Sequence, residues 1–217
     1  MSDFESRSAA EPADPDVEAP ARKRPKPGER RVQILQALAS MLEQPGAERI
    51  TTAALAARLE VSEAALYRHF ASKAQMFEGL IEFIEQSVFS LISQITTTGA
   101  GDGRQQVARI VAMLLQFGEK NPGMARVMVG DALVFENERL QQRMNLFFDK
   151  IESVLRQSLR DGALGEGSST PGLDAQVQAV VLTAFVVGQL QRFTRSGFRR
   201  VPTDKLDACL SRMLFIA

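Results

Sequence analysis

Two pairs of large apolar residues, Leu55/Leu59 and Leu66/Phe70, constrain this chain more than any other feature. Within each pair the spacing is four, and the two pairs are separated by the turn at Glu60-Val61. A spacing of four places both residues on one face of an α-helix, so each pair marks a short helix with one buried stripe. Thr51 or Thr52 can accept from the free N–H groups that open the first helix, and Ser62 from those that open the second. Upstream, Val32, Ile34, Leu35, Leu38, Met41 and Leu42 recur at three and four from Glu29 until Pro45-Gly46 ends the pattern, which predicts a preceding helix. Two short helices joined by a turn of about three residues define a helix-turn-helix unit.

With Leu66 and Phe70 turned inward, the last helix offers Glu63, Ala64, Ala65, Tyr67, Arg68 and His69 to the outside. Tyr67 and His69 are the only tyrosine and the only histidine in the chain. The alanines allow the backbone close to a groove floor and can touch thymine methyls. Arg68 can reach base edges or phosphates, while Tyr67 and His69 carry donors at the tips of rigid side chains, suited to phosphate oxygens. Lys73, after Ser72, adds a cation at the start of the next helix, where N–H groups also attract anions. Spacing alone leaves a second reading open, in which Tyr67 and His69 merely cover the domain's edge.

Charge supports the first reading. The formal net charge is zero, yet residues 1–21 hold six acids and one Arg, residues 22–73 hold ten Lys/Arg against five Glu, and residues 74–217 balance. A basic block beside a neutral remainder suggests a module for a polyanion joined to a domain with another task. Residues 1–27 carry five prolines and few apolar groups, a composition expected to stay disordered; within them RKRPK, Arg22 to Lys26, is a basic cluster that can track phosphates or act as a solvated linker. The expected organisation is all-α: a tail over 1–27, a helix-turn-helix head over 28–73, and a helical domain over 74–217.

The stretch VSEAALYRHFASK resembles the signature of the TetR-type transcriptional regulators, Val-Ser-x-Gly-Thr-Leu-Tyr-x-His-Phe-x-Ser-Lys. The resemblance implies a three-helix DNA-binding head followed by a longer helical domain that forms a homodimer and commonly binds a ligand or partner. By position it assigns DNA contact to Ser62, Ala65, Tyr67, His69 and Lys73, and Thr51, Thr52, Glu63, Ala64 and Arg68 are counted with that surface. Two positions depart from the pattern. Glu60 stands where the inter-helix turn commonly has Gly, so a non-Gly residue has to adopt a left-handed conformation at roughly 1 kcal/mol. Ala64-Ala65 replaces Gly-Thr and lacks a hydroxyl that could bond DNA.

Beyond the head, Met76, Phe77, Leu80, Ile81, Phe83, Ile84, Val88, Leu91, Ile92 and Ile95 mark a long helix connecting the domains. The loop GAGDG follows, then a helix ending at Asn121, because Pro122 disfavours an α conformation in the residue before it. Pro122 can open the next helix, another is expected from near Phe135 to Arg160, and GALGEGSSTPG reads as a loop. Residues 174–196 are apolar nearly all round, which means burial on two sides. Gly188 would let a second helix approach, and LDACLSRMLFIA supplies another stripe, so a two-fold homodimer through these two C-terminal helices is expected. Such a dimer prefers palindromic double-stranded DNA.

Other functions find little support in the residues. The apolar run Ala179 to Val187 is too short for a membrane span of ~20 residues, and no cofactor or metal site is expected. Cys209 reads as a buried structural thiol, and one Cys with one His cannot supply a zinc cluster. Neither Gly-rich loop has the strand or the Gly-Lys-Ser/Thr ending of a phosphate loop. The acid pairs Glu136/Glu138 and Asp204/Asp207 read as solvated helix faces and starts, and no catalytic constellation emerges, so the chain is not expected to be an enzyme. The N-terminus lacks an apolar stretch, which points to the cytoplasm.

Similarity outside the head, in FGEKNPGMARVMVGDALVFENERLQQRMN and QRFTRSGFRRVPTD, resembles one branch of the same family. That branch implies a nucleoid-associated protein which, bound to palindromic chromosomal sites, antagonises assembly of the tubulin-like division protein FtsZ and keeps the septum off the nucleoid. Its partner surface would lie between the long helix and the one ending in GEKNP, with Phe83, Lys120 and Asn121 as candidates; Phe83 as core and Asn121 as a helix cap is the competing reading. The alternative function is a ligand-responsive repressor, with Phe117, Met124, Met128, Phe147 and Phe185 lining a cavity or simply filling it.

Overall fold

A computed structural model describes residues 28–44, 50–98, 102–162 and 170–215. The tail with RKRPK, Pro45-Gly46 and most of the two Gly-rich loops lie outside the described residues. Nine α-helices are described: α1 (Glu29–Leu42), α2 (Thr52–Arg58), α3 (Glu63–Tyr67), α4 (Lys73–Thr98), α5 (Gly103–Lys120), α6 (Pro122–Met128), α7 (Glu138–Gly162), α8 (Pro171–Arg195) and α9 (Leu206–Leu214), with a 3-10 turn at Asp131–Leu133. No strand occurs among the described residues, as the helical periodicity predicts.

The head is α1 to α3 closed over the start of α4. Ile34, Leu38 and Leu42 of α1 meet Leu55 of α2 and Leu66 of α3, all essentially fully buried together with Phe70. Val32 stays exposed instead of joining the stripe. Both caps form: the Thr51 hydroxyl accepts from Ala54 N at 3.1 Å and that of Ser62 from Ala65 N at 3.3 Å. Between the caps α2 ends in a Schellman turn, with Val61 N donating to Ala56 O (3.0 Å) and Glu60 N to Ala57 O (3.1 Å). That geometry needs a left-handed residue at Glu60, whose φ is 52°. The turn keeps the two helix starts together, where the Thr52 hydroxyl donates to the Glu63 carboxylate at 2.5 Å.

Helix α4 leaves the head and enters the body without interruption, burying Met76, Phe77, Leu80, Ile81, Ile84, Val88 and Ile92. Its predicted stripe has two exceptions, Phe83 and Leu91, which face solvent. Asn121 ends α5 and Pro122 opens α6, as the Asn-Pro pair requires. Next to it α6 lies hard against α1: a Cβ added at Gly123 would sit 2.0 Å from the Ala39 carbonyl oxygen. Helix α7 begins at Glu138, later than the expected start near Phe135, because the 3-10 turn comes first and the Asn137 side chain accepts from Arg139 N at 3.1 Å. The preceding segment leaves Val134 and Phe135 exposed.

Helix α8 packs Ala175, Ala179, Leu182, Val186 and Leu190 against the body. By length and composition it could cross a membrane, with a mean hydropathy of 1.4 over its best window, although its strongly apolar stretch, Ala179 to Val187, is about half a span of ~20 residues. Its buried Thr194 donates to Asp131 at 2.8 Å, an anchor suited to a core helix. The other face, with Leu173, Val177, Val180 and Val181, is open, and nothing lies within 4 Å of a Cβ built at Gly188. Replacing Gly123 with Ala forces α6 away from α1; thermal or urea unfolding should show a loss of about 1–3 kcal/mol, typical of overpacking.

Candidate nucleic-acid interface

Helix α3 and the turn after it are aimed by residues beneath them. Leu66 and Phe70 are each 1% exposed, and the helical pattern extends past Tyr67 through His69 N and Phe70 N, both donating to Leu66 O at 2.9 and 3.1 Å. Arg31 of α1 clamps this end from the side: its guanidinium lies 4.1 Å from the Phe70 ring centroid and donates to His69 O at 2.6 Å. The outward surface then consists of Ser62, Glu63, Ala64, Tyr67 and Arg68, all exposed, with Ala65 and His69 half-buried beside them. Tyr67 is 44% exposed. Arg68 forms no ion pair among the described residues.

Five members of the predicted set, Thr51, Thr52, Ser62, Glu63 and Lys73, have part of their capacity committed inside the protein. The Thr51 hydroxyl caps α2, and Thr52 and Glu63 bond each other. Lys73 stands at the first turn of α4 as expected, but its ammonium is ion-paired with Glu136. This corrects the reading of Glu136 as a solvated face: its side chain is only 9% exposed, because the segment before α7 folds back onto the start of α4. The other acids, Glu138, Asp204 and Asp207, are exposed as read.

On the body, Phe83 is 48% exposed on α4 and Lys120 is exposed at the end of α5. The two helices are joined by a short loop, across which the Gln106 amide donates to Thr96 O at 3.4 Å, so they run antiparallel. At 1.5 Å per residue Phe83 and Lys120 stand about 23 and 26 Å from that loop, similar heights on neighbouring helices. Asn121 is half-buried and its amide donates to Phe117 O at 2.8 Å, which is the capping role.

The five residues proposed for a ligand cavity are packed instead. Phe147 and Met128 are buried, Phe147 meeting Phe89 and Phe148 edge-on at 5.7 and 5.1 Å, while Phe117, Met124 and Phe185 press on the same core. Sequence reasoning missed a groove of about 710 Å³ between the end of α8 and the start of α9, lined by Arg192, Arg199, Arg200, Lys205 and Cys209 among others. Scattered cations in RSGFRRVPTDK were the available signal. Cys209 is half-buried rather than buried, because α9 turns it toward that groove. Among the described residues no cluster of His, Cys, Asp or Glu could hold a metal ion.

A helix-turn-helix head with its third helix exposed, continuous with a larger helical body, is the architecture of a dimeric DNA-binding regulator. Residues 34–80 match the model of bacterial regulatory proteins of the tetR family, and residues 102–215 match the tetracyclin repressor-like C-terminal domain of SlmA-like proteins. The chain is 52% identical to the nucleoid occlusion factor SlmA of Vibrio cholerae over 82% of this chain and 90% of that protein. To the SlmA of Photobacterium profundum it is 51% identical, over 82% and 90%. Solved structures share the fold at low identity: the fatty acid degradation regulator FadR of Bacillus halodurans (TM-score 0.70, 14% identity, covering 86% of this chain and 95% of that one) and a TetR-family regulator from a Rhodococcus species (0.68, 22%, 87% and 98%). The chain therefore belongs to the SlmA branch of the TetR family of bacterial regulatory proteins.

The strained turn gives a local test. Glu60→Gly removes the penalty at φ 52° and should raise the unfolding midpoint by the equivalent of up to about 1 kcal/mol, whereas Glu60→Val, β-branched, should lower it by more than that.

Proposed function

We propose that this protein is a nucleoid occlusion factor: a cytoplasmic, nucleoid-associated dimer that binds palindromic chromosomal sites and, so bound, antagonises FtsZ assembly. The observation that carries this reading is similarity to SlmA across both domains, including residues 102–215, where the likeness reaches past the DNA-binding head. Residues 28–73 act as the head and 74–217 as the dimerisation and partner domain.

At the head, α3 enters the major groove with Ala64 and Ala65 against the base edges, Arg68 reaching bases or phosphates, and Tyr67 and His69 bonding phosphate oxygens. Thr51, Thr52, Ser62 and Glu63 flank it at the two helix starts. Of the three donors on the Lys73 ammonium, Glu136 need take only one, so a phosphate can share it. The open stripe of α8, with α9 beside it, covers the same stripe of a second copy and places two α3 helices on one face of a duplex. Phe83 and Lys120 form the FtsZ surface, an aromatic plate and a cation on adjacent helices, with Asn121 holding the end of α5.

Sedimentation of FtsZ polymers tests the function directly. Polymer should be lost when the protein and a palindromic duplex are both present, and retained with either alone; retention with both refutes the proposal. His69→Ala and Tyr67→Phe should each weaken binding to every duplex by about 1–3 kcal/mol, as phosphate contacts do. Lys120→Ala should leave duplex affinity intact in an anisotropy titration while reducing FtsZ antagonism.

A further inference from the structure

Three ion pairs tie α4 to the chain that opens α7. Lys73 pairs with Glu136, Glu78 with Arg139, and Glu85 with Arg143 at 2.5 Å, the last reinforced by a second bond from Arg143 Nε at 3.2 Å. The hydrogen bond to the Glu85 carboxylate also raises the pKa of Arg143. The signs are not uniform along the ladder: α4 presents a cation and then two anions, and the facing segment an anion and then two cations. Shifting the pairing by one rung would set Lys73 against Arg139, or Glu78 against Glu136, like charge on like charge. A shifted register of the ladder thus exchanges three attractions for one attraction and one repulsion, which favours the register observed.

Its rungs are not equally exposed. Glu78 and Arg139 are 31% and 58% exposed, and Glu85 and Arg143 are 19% and 36%, whereas Glu136 is 9% and Lys73 25%. The rung next to the head is therefore the one least screened by water and salt, and removing either partner strands a charge that solvent reaches poorly. Lys73 is also the residue through which the head turns into the body, four residues after His69 and six after Tyr67. Rotation of the head about the start of α4 has to stretch this bond as well as shift the Gly123–Ala39 seating of α6 on α1.

We infer that Glu136 is a positioning residue for operator recognition: held by Lys73, it fixes the angle of the head on the body and so the separation of the two recognition helices, making it a determinant of half-site spacing. The inference rests on the dimeric DNA-binding reading above. Glu136 touches no DNA in this role; it acts through where α3 is carried.

The test uses the full chain and the palindromic duplex that the unaltered protein selects from a random-sequence pool. Dissociation constants are measured for that duplex, for versions with one or two base pairs inserted between the half-sites, and for a duplex bearing one half-site. Glu136→Gln should bind the single half-site within about twofold of the unaltered protein, while its discrimination against the inserted versions falls about tenfold. Charge exchange, Lys73→Glu with Glu136→Lys, should restore most of the discrimination ratio even where absolute affinity stays lower; Lys73→Glu alone should not. Circular dichroism melts establish that each variant is folded. Unchanged discrimination in Glu136→Gln overturns the inference, as does a parallel loss on all duplexes including the half-site. Failure of the unaltered protein to select any palindrome would overturn the DNA-binding reading itself.

Discussion

The rest of the molecule depends on one unbroken apolar stripe along α4. Met76 and Phe77 lie under the head beside Phe70, and Val88 and Ile92 lie within the body, on the same face of the same 26-residue helix. A helix cannot bend sharply without breaking its hydrogen-bond ladder, so two hydrophobic cores threaded on one rod share an orientation. Everything that faces outward near the head, from Thr51 to Arg68, inherits its aim from that rod. The close seating of Gly123 on Ala39 O and the ion pairs to the start of α7 then hold the rod against rotation.

Much of the head was readable because short-range chemistry decides it. Thr51 or Thr52 and then Ser62 had to cap, Leu55, Leu66 and Phe70 had to turn inward, and the left-handed turn at Glu60 followed from the family resemblance, which has Gly there. Pro122 likewise announced both the end of α5 and the start of α6. In these places the local preference and the tertiary structure agree, which is what a funnelled sequence provides.

The start of α7 was displaced by a local turn and cap, but other readings that needed correction turned on contacts between residues far apart in the chain. Glu136 looks like one of two acids on a solvated helix face, and only the fold brings Lys73, sixty-three residues earlier, against it. Phe83, a candidate for the partner surface with core as the competing reading, stands in an apolar series at core spacing and falls on the outer edge of α4, since a helix wedged between neighbours cannot bury every side of itself. The basic groove escaped for the same reason: Arg192 lies in α8 and Lys205 just before α9, and they meet only after the chain between them reverses direction. The chemistry of Cys209 alone points to a core residue, and its half-burial depends on where that connection leaves a gap.

In the proposed dimer, the uncovered valines of α8 set how the protein responds to its own abundance. Covering apolar surface between two copies stabilises the folded state only in proportion to how many copies are folded and present, so melting temperature and operator occupancy both depend on concentration. Two heads on one palindrome require two chains, and occupancy should climb with the square of chain number while monomers predominate. A modest change in synthesis would then become a larger change in the number of occupied sites.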